Sequence, residues 1–133
     1  MPSPSDKLKV LVVDDVTSAR RIVVRVLGEL GFKNVAEAKS GTDAFQKLQD
    51  EIFSLVISDW EMPDTTGLDL LKRLRAEEKF QTLPFIMLTS ASEGERVKEA
   101  LGAGVTDYII KPVSLQTLAE KIRRVLSTTT ATN

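Results

Sequence analysis

The sequence contains neither cysteine nor histidine in its 133 residues. The absence of cysteine excludes disulfide bonds, thiolate metal sites and cysteine nucleophiles. The absence of histidine excludes an imidazole that acts as a general base, as a metal ligand or as a phosphoryl carrier. A metal bound by this chain would therefore have to be a hard cation with oxygen ligands.

Long apolar runs and an excess of one charge are also missing. The 18 basic residues are balanced by 19 acidic ones, so the chain has no electrostatic signature of nucleic-acid binding. No apolar run approaches membrane-spanning length, and Met1–Asp6 has no apolar stretch typical of a signal peptide. We therefore expect a cytoplasmic protein without nucleic-acid or membrane partners, which acts on proteins or small molecules.

Five short apolar runs alternate with five helical patterns along the chain. The runs lie at Leu8–Val13, Val35–Ala38, Leu55–Ser58, Phe85–Leu88 and Tyr108–Ile110. This alternation predicts an α/β protein with a parallel sheet that carries helices on both faces. The length is that of a single domain, expected over residues 1–133 with a core at about 8–126 and a flexible tail at 127–133.

Polar residues suited to phosphate chemistry follow four of the five predicted strands. They are Asp14 and Asp15 after the first strand, Asp59 after the third, Thr89 and Ser90 after the fourth, and Lys111 after the fifth. Sites of open parallel sheets lie beyond the carboxyl ends of the strands, so we expect these side chains at one rim. If the first and third strands are neighbours, three carboxylates converge there, and their repulsion raises a pKa or requires a cation.

This group of residues predicts a magnesium site that supports phosphoryl transfer. Oxygen ligands favour Mg²⁺, for which Mn²⁺ can substitute. A carboxylate can act as the nucleophile and form an acyl phosphate, while Lys111 and Thr89 suit phosphoryl oxygens. Each feature alone has an ordinary explanation, since acid pairs often form turns or helix caps and a Lys-Pro pair usually marks a turn. Their joint occurrence at the ends of different strands favours the functional interpretation.

The same strand ends carry longer motifs that resemble a known family. The motifs are Leu11-Val12-Val13-Asp14-Asp15, Ser58-Asp59-Trp60-Glu61-Met62-Pro63, Thr89, and Tyr108 with Lys111-Pro112. Together they resemble the receiver family of two-component response regulators, and most of all its single-domain chemotaxis branch. The similarity extends from about Leu8 to Leu126. It implies a flavodoxin-like (βα)5 three-layer sandwich with strand order 2-1-3-4-5.

The resemblance also implies the chemistry of the rim. Asp59 would be the phosphoacceptor. Asp14, Asp15 and Asp59 would hold Mg²⁺, together with the backbone carbonyl of Glu61.

Four further residues would bind the phosphoryl group or respond to it. Lys111 would bind a phosphoryl oxygen, and its peptide bond to Pro112 would be cis. Thr89 would move toward the phosphoryl group, with Ser90 beside it, and Tyr108 would swing inward behind Thr89. Such a switch is a shift between two populated states that depends on contacts with the phosphoryl oxygens.

An output face for protein partners is implied near the last two helices. Its apolar members would come from Val97, Leu101, Val105, Tyr108, Ile110 and Val113, with Lys121 and Arg124 at the margin. For Ile110 and Leu101 we favour a place in the core over a place on this face. In the chemotaxis branch such a face binds a peptide of the flagellar motor switch.

Three positions depart from the chemotaxis pattern. Glu61 places an acid near the metal where asparagine is common, which could alter metal affinity and the lifetime of the phosphoryl group. Ser90 replaces a smaller residue and could narrow the path of an attacking water. Val113 stands where phenylalanine is usual, so the output face is altered.

The resemblance implies a signalling switch, not an enzyme acting on a separate substrate. A histidine kinase would donate the phosphoryl group, a phosphatase is a further expected partner, and the output would be a motor-switch protein or another protein. A phosphorelay intermediate remains open, because its site chemistry is the same. Two rivals fit less well. An aspartyl phosphatase of the haloacid dehalogenase type needs an Asp-x-Asp pair, and a flavin-binding flavodoxin needs a phosphate loop where Asp14 and Asp15 stand.

Overall fold

The fold is an α/β sandwich whose five strands all run parallel. A computed structural model of the chain describes residues 8–63, 65–90 and 94–131. The strands are β1 (Lys9–Val13), β2 (Asn34–Ala38), β3 (Leu55–Asp59), β4 (Phe85–Thr89) and β5 (Asp107–Ile110). They pair in the order β2-β1-β3-β4-β5, which confirms the predicted flavodoxin-like topology.

A helix follows each strand. The helices are α1 (Thr17–Glu29), α2 (Gly41–Asp50), α3 (Gly67–Arg75), α4 (Gly94–Gly102) and α5 (Leu115–Ala131), and a short 3-10 helix covers Glu78–Phe80. Helix α5 continues over 127–131, the segment that we expected to be a flexible tail, and residues 132 and 133 lie outside the described residues. Extending an existing helix adds one backbone hydrogen bond per residue, so continuation needs no new nucleus.

The sheet separates the core into two apolar layers. Alternate residues of β1 point to opposite faces, so Val10 and Val12 belong to one layer and Leu11 and Val13 to the other. One layer is formed with α1 and α5, and the other with α2, α3 and α4. The central strands are apolar without alternation because both of their faces are buried.

Hydrogen-bonded caps fix where two of the helices begin. Ser40 accepts a hydrogen bond from the backbone N–H of Asp43 at the start of α2. Thr66 and Asp69 form a reciprocal capping box at the start of α3. Because α3 begins just after the β3 loop, this box also fixes the exit of the chain from that loop.

Among the described residues, no helix is both long enough and apolar enough to cross a bilayer.

Candidate functional site

Three aspartates converge at the carboxyl ends of β1 and β3. Asp14 follows β1 and Asp59 ends β3, and each side chain belongs to a residue that is only 3% exposed. Asp15 is exposed beside them. The two strands are direct neighbours, with Val13 opposite Ser58. Carboxylate oxygens of the three aspartates all lie within 4.8 Å of one another.

Lys111 brings a positive charge to these acids. Its Nζ forms an ion pair with Oδ1 of Asp59. The Lys111 backbone N–H donates to the carbonyl oxygen of Thr89 at 2.8 Å. The peptide bond between Lys111 and Pro112 is cis. Strand β4 thus fixes the backbone from which Lys111 reaches the acid at the end of β3.

Burial dominates the electrostatics of the two enclosed acids. Desolvation raises the pKa of Asp59, and the charge of Asp14 adds to this, while Lys111 and a hydrogen bond from the Glu61 backbone oppose it. Desolvation also raises the pKa of Asp14, against a hydrogen bond from the Val16 backbone and the charge of Lys111. Their ionised forms are therefore disfavoured in the folded protein, and a bound cation would favour them.

The donor set fits a hard divalent cation. Three carboxylates supply oxygen ligands within reach of a single ion, and Mg²⁺ prefers oxygen ligands and keeps several of its waters. Glu61 follows Asp59 by two residues, and its backbone lowers the pKa of the Asp59 carboxyl, so its carbonyl belongs to the same loop. That this carbonyl ligates the metal stays a prediction.

Arg20 positions the loop that carries Asp14 and Asp15. Its Nη1 donates to the backbone carbonyl of Asp14 at 2.7 Å, and its Nε donates to Oε1 of Glu37 on β2 at 2.7 Å. The Asp14 carboxylate in turn accepts a hydrogen bond from the Val16 N–H at 3.0 Å. We did not predict a role for Arg20 at the rim from the sequence. The available signal was an arginine in the first turn of α1, six residues after Asp14 and five after Asp15.

Gly67 allows α3 to begin directly against the end of β3. A Cβ atom at this position would overlap the backbone carbonyl oxygen of Asp59 and lie 2.8 Å from Sδ of Met87. The Gly67 N–H donates to the carbonyl of Trp60 at 3.0 Å. Any larger residue would thus displace the strand end that carries Asp59.

Thr89 and Tyr108 lie on adjacent strands near the acids. Thr89 ends β4 and is buried, whereas Ser90 is exposed. Tyr108 lies on β5 opposite Met87 and is half-buried against the α2–α4 layer. The Lys121 ammonium lies 5.4 Å from the centre of the Tyr108 ring. The two switch candidates therefore occupy neighbouring strands, on the side of the sheet toward β5.

The expected output face needs three corrections. Leu101 and Ile110 are 57% and 41% exposed, so the preference for the core was wrong for both. The sheet-facing position of α4 is taken by Ala100, and Ile110 ends an edge strand. Val105 is buried in the α2–α4 layer, because the turn at Gly104 directs the chain back into the core. Val113 packs against the other layer, formed by α1 and α5.

The remaining members of that face are accessible in part. Val97 is half-buried on α4. Lys121 forms an ion pair with Asp107 at 2.9 Å, and the exposed Arg124 lies 4.0 Å from the same carboxylate. The surface shared by α4, β5 and α5 therefore joins exposed apolar groups with a paired basic margin.

Comparison with known protein families identifies the family to which the chain belongs. A model of the response regulator receiver domain matches residues 10–123, which covers both layers and all of the rim residues described above. The chain belongs to the response regulator receiver family. As a receiver it has the family's five parallel strands with a helix after each.

Individual receivers that it resembles include chemotaxis proteins. It is 42% identical over 118 residues to the chemotaxis protein CheY of Pseudomonas aeruginosa, covering 89% of this chain and 95% of that one. It is 43% identical to CheY-3 of Vibrio cholerae, with 89% and 91% covered.

The solved structure of CheY4 from Vibrio cholerae matches with a TM-score of 0.83 at 35% identity, covering 89% of this chain and 98% of that one. A CheY-like receiver from Methanospirillum hungatei matches with a TM-score of 0.86 at 30% identity, with 96% and 100% covered. The receiver fold therefore extends over nearly the whole of both partners in each comparison.

Proposed function

We propose that this receiver accepts a phosphoryl group on Asp59 in a reaction that depends on Mg²⁺. The observation that carries the proposal is the placement of Asp59. Its buried carboxylate forms an ion pair with the Lys111 ammonium and lies within 4.8 Å of carboxylate oxygens of Asp14 and Asp15. A nucleophile flanked by one fixed cation and a site for a second suits transfer of a group with negatively charged equatorial oxygens.

The transfer forms one bond and breaks another at phosphorus. A carboxylate oxygen of Asp59 attacks the phosphorus, and the bond to the donor atom breaks, so that the leaving group takes the electron pair. The product is an acyl phosphate on Asp59. Lys111 stabilises charge on a phosphoryl oxygen from a backbone that β4 holds in place. Asp14, Asp15 and the Glu61 carbonyl would hold Mg²⁺, which supplies further positive charge to the phosphoryl oxygens.

Phosphorylation of Asp59 would then change the protein surface near β5. Thr89 is buried at the end of β4, and Tyr108 lies on the adjacent strand. A hydrogen bond from the Thr89 hydroxyl to the phosphoryl group would favour one arrangement of these two side chains over another. Leu101 on α4 and Ile110 on β5 are exposed, and we propose that their surroundings change when Tyr108 moves.

Because this chain has no histidine, the phosphoryl group would come from a separate kinase or a small phosphodonor. An open groove of about 490 Å³ leads to the acids between α1 and the loop after β5, and Asp14, Ile22, Lys111, Pro112 and Val113 contribute to its lining. The exposed Arg21 and Arg25 lie on the same helix. We propose that the histidine kinase presents its phosphohistidine here, and that a phosphatase approaches the same rim.

The identity of its relatives favours an output in chemotaxis. Receivers named CheY match this chain over about nine-tenths of its length, and we propose a flagellar motor switch protein as the output partner. A relay intermediate or a regulator of another protein would share the chemistry of the rim. Capture of partners with the phosphorylated protein separates these functions: a motor-switch protein supports chemotaxis, and a histidine phosphotransfer protein supports a relay.

The acceptor assignment can be tested with a small phosphodonor. We expect the wild-type protein to gain the mass of one phosphoryl group from acetyl phosphate only when Mg²⁺ is present, and Asp59→Asn to gain none. Asp50→Asn is a matched control, because Asp50 is an exposed aspartate on α2. Intact-protein mass spectrometry measures the gain. A phosphoryl group on folded Asp59→Asn, or none on the wild type, would overturn the assignment.

A further inference from the structure

Arg96 on α4 reaches across to the loop that follows β3. Its Nη1 forms an ion pair with Oε1 of Glu61, and its guanidinium carbon lies 5.1 Å from the centre of the Trp60 ring. Nη1 is shielded from solvent and makes no hydrogen bond among the described residues, so its attraction to the largely exposed Glu61 carboxylate is electrostatic. A planar guanidinium can stack on an aromatic ring and bind a carboxylate at the same time. Arg96 thus holds the Glu61 side chain toward α4.

Glu61 is close enough to the acidic rim for its charge to matter there. It follows Asp59 by two residues, its backbone lowers the pKa of the Asp59 carboxyl, and the rim already contains three converging carboxylates. A free carboxylate at this position would add a fourth negative charge and a further oxygen for the waters of a bound cation. When this carboxylate is paired with Arg96, the two opposite charges largely cancel at the rim, so Glu61 adds little negative potential there.

From this geometry we propose that Arg96 sets the divalent-cation affinity of the rim by holding the Glu61 carboxylate toward α4. The proposal rests on the function proposed above, in which Mg²⁺ binds to the three aspartates. It also links the rim to the output surface. A cation that attracts Glu61 would loosen its bond to α4, the helix that carries Val97 and the exposed Leu101.

The expected effect of breaking this pair is a gain of cation affinity. In Arg96→Gln the Glu61 carboxylate is released, and its attraction should lower the Mg²⁺ dissociation constant about three- to tenfold at low ionic strength. Arg96→Lys keeps a cation and should return the constant toward the wild-type value. Glu61→Gln removes the charge that Arg96 holds, so Arg96→Gln should have no further effect in that background.

The experiment is a Mg²⁺ titration of the full chain by calorimetry, repeated by the shift in thermal unfolding temperature. The variants are Arg96→Gln, Arg96→Lys, Glu61→Gln and the double variant Arg96→Gln/Glu61→Gln. Arg73→Gln is the matched control: Arg73 also stacks on an aromatic ring, with its guanidinium carbon 3.8 Å from the centre of the Phe45 ring. A merely structural role of Arg96 would lower thermal stability in both backgrounds without a change of affinity that depends on Glu61.

The outcomes separate this proposal from the proposed function. If wild type and Arg96→Gln bind Mg²⁺ equally well, or if the affinity gain persists without Glu61, the role of Arg96 is overturned and phosphoryl transfer to Asp59 stands. If no variant binds Mg²⁺, both proposals fail together. If the gain appears in Arg96→Gln alone and Arg96→Lys reverses it, the proposal holds.

Discussion

Arg75 and Lys111 are each partly enclosed cations at opposite ends of the sheet, yet their surroundings differ. At the amino end of the strands, Arg75 donates to the backbone carbonyl of Gly104 at 2.9 Å and to that of Phe80 at 2.7 Å. At the carboxyl end, Lys111 pairs with one of three carboxylates that repel one another. At the amino end, a single cation is therefore hydrogen-bonded to neutral carbonyl groups. At the carboxyl end, several charged groups lie close together.

The difference indicates where the molecule gives up stability for function. Burial lowers the pKa of Arg75, but its hydrogen bonds tie α3 to the turn before β5 and to the 3-10 helix. At the other rim, burial raises the pKa of both Asp14 and Asp59. Acids whose pKa is raised by burial are typical of sites that must bind a cation or react. Removal of a charge should therefore have opposite effects at the two ends.

The largest expected effect is at the amino end. Arg75→Met keeps much of the apolar stem but leaves two backbone carbonyls without their charged donor. We expect the free energy of unfolding to fall by about 2–4 kcal/mol, measured by urea denaturation without Mg²⁺. Arg73→Met, an exposed position on the same helix, should lose less than about 1 kcal/mol. Equal losses in the two variants would contradict the importance of the Arg75 hydrogen bonds.

At the carboxyl end we expect an effect of intermediate size and opposite sign, namely a gain in stability. Asp59→Asn removes one buried negative charge, while Lys111 is exposed enough to be solvated. We expect the free energy of unfolding at pH 7 without Mg²⁺ to rise by about 1–2 kcal/mol. Added Mg²⁺ should narrow the difference, because it stabilises the wild-type protein by binding. Destabilisation of Asp59→Asn under the Mg²⁺-free conditions would mean that Asp59 supports the fold.

The Asp59→Asn variant also allows the effect of pH on stability to be measured. At a pH below the ordinary Asp pKa of 3.8, Asp59 is protonated in both the folded and the unfolded chain, so it resembles asparagine. As the pH rises through the raised pKa of the folded state, the wild-type protein must carry a desolvated charge and loses stability relative to the variant. The stability difference in urea should therefore widen from acid to neutral pH. A constant difference would show that ionisation is not its cause.

The smallest expected effect is on the position of the first acid pair. Arg20→Gln would weaken the bonds to the Asp14 carbonyl and to Glu37, so that Asp14 and Asp15 are held less firmly. We expect the Mg²⁺ dissociation constant to rise about threefold, read from Trp60 fluorescence. Arg21→Gln is the control, since Arg21 is exposed on the same helix. An unchanged constant in Arg20→Gln would show that the loop needs no such support.

The fold was predictable because its signals are local and repeated. Each buried central strand is a short, largely apolar run, and Gly31 adopts the positive φ of 96° that a glycine after a helix allows. The polar rim was predictable because parallel strands all place their carboxyl ends at one edge, so Asp14, Asp59 and Lys111 had to share it. The strand order that brings β1 beside β3 came from the family resemblance.

The exposure of individual side chains and the pairing of arginines with other elements depend on contacts between distant parts of the chain. Leu101 and Ile110 match the apolar pattern of a core, but their exposure is decided by which neighbours cover α4 and the edge strand β5. Likewise, no pattern in the sequence pairs Arg96 with Glu61, or Arg75 with the carbonyl of Gly104. Arginines on helices usually indicate a solvated face, and only the folded arrangement shows which of them reach across to another element.

The apolar layer formed by α1 and α5 has a consequence for how the protein is made. It contains residues of the first and the last helix of the described fold, so the layer that holds Val23 and Leu27 gains Leu118 and Ile122 only after the strands between them have been synthesised. Until then, a nascent chain leaving the ribosome presents one side of its sheet without a complete cover. Such an intermediate is a natural substrate for chaperones and proteases. A stop codon anywhere before α5 would therefore yield a chain marked for degradation, not a smaller working protein.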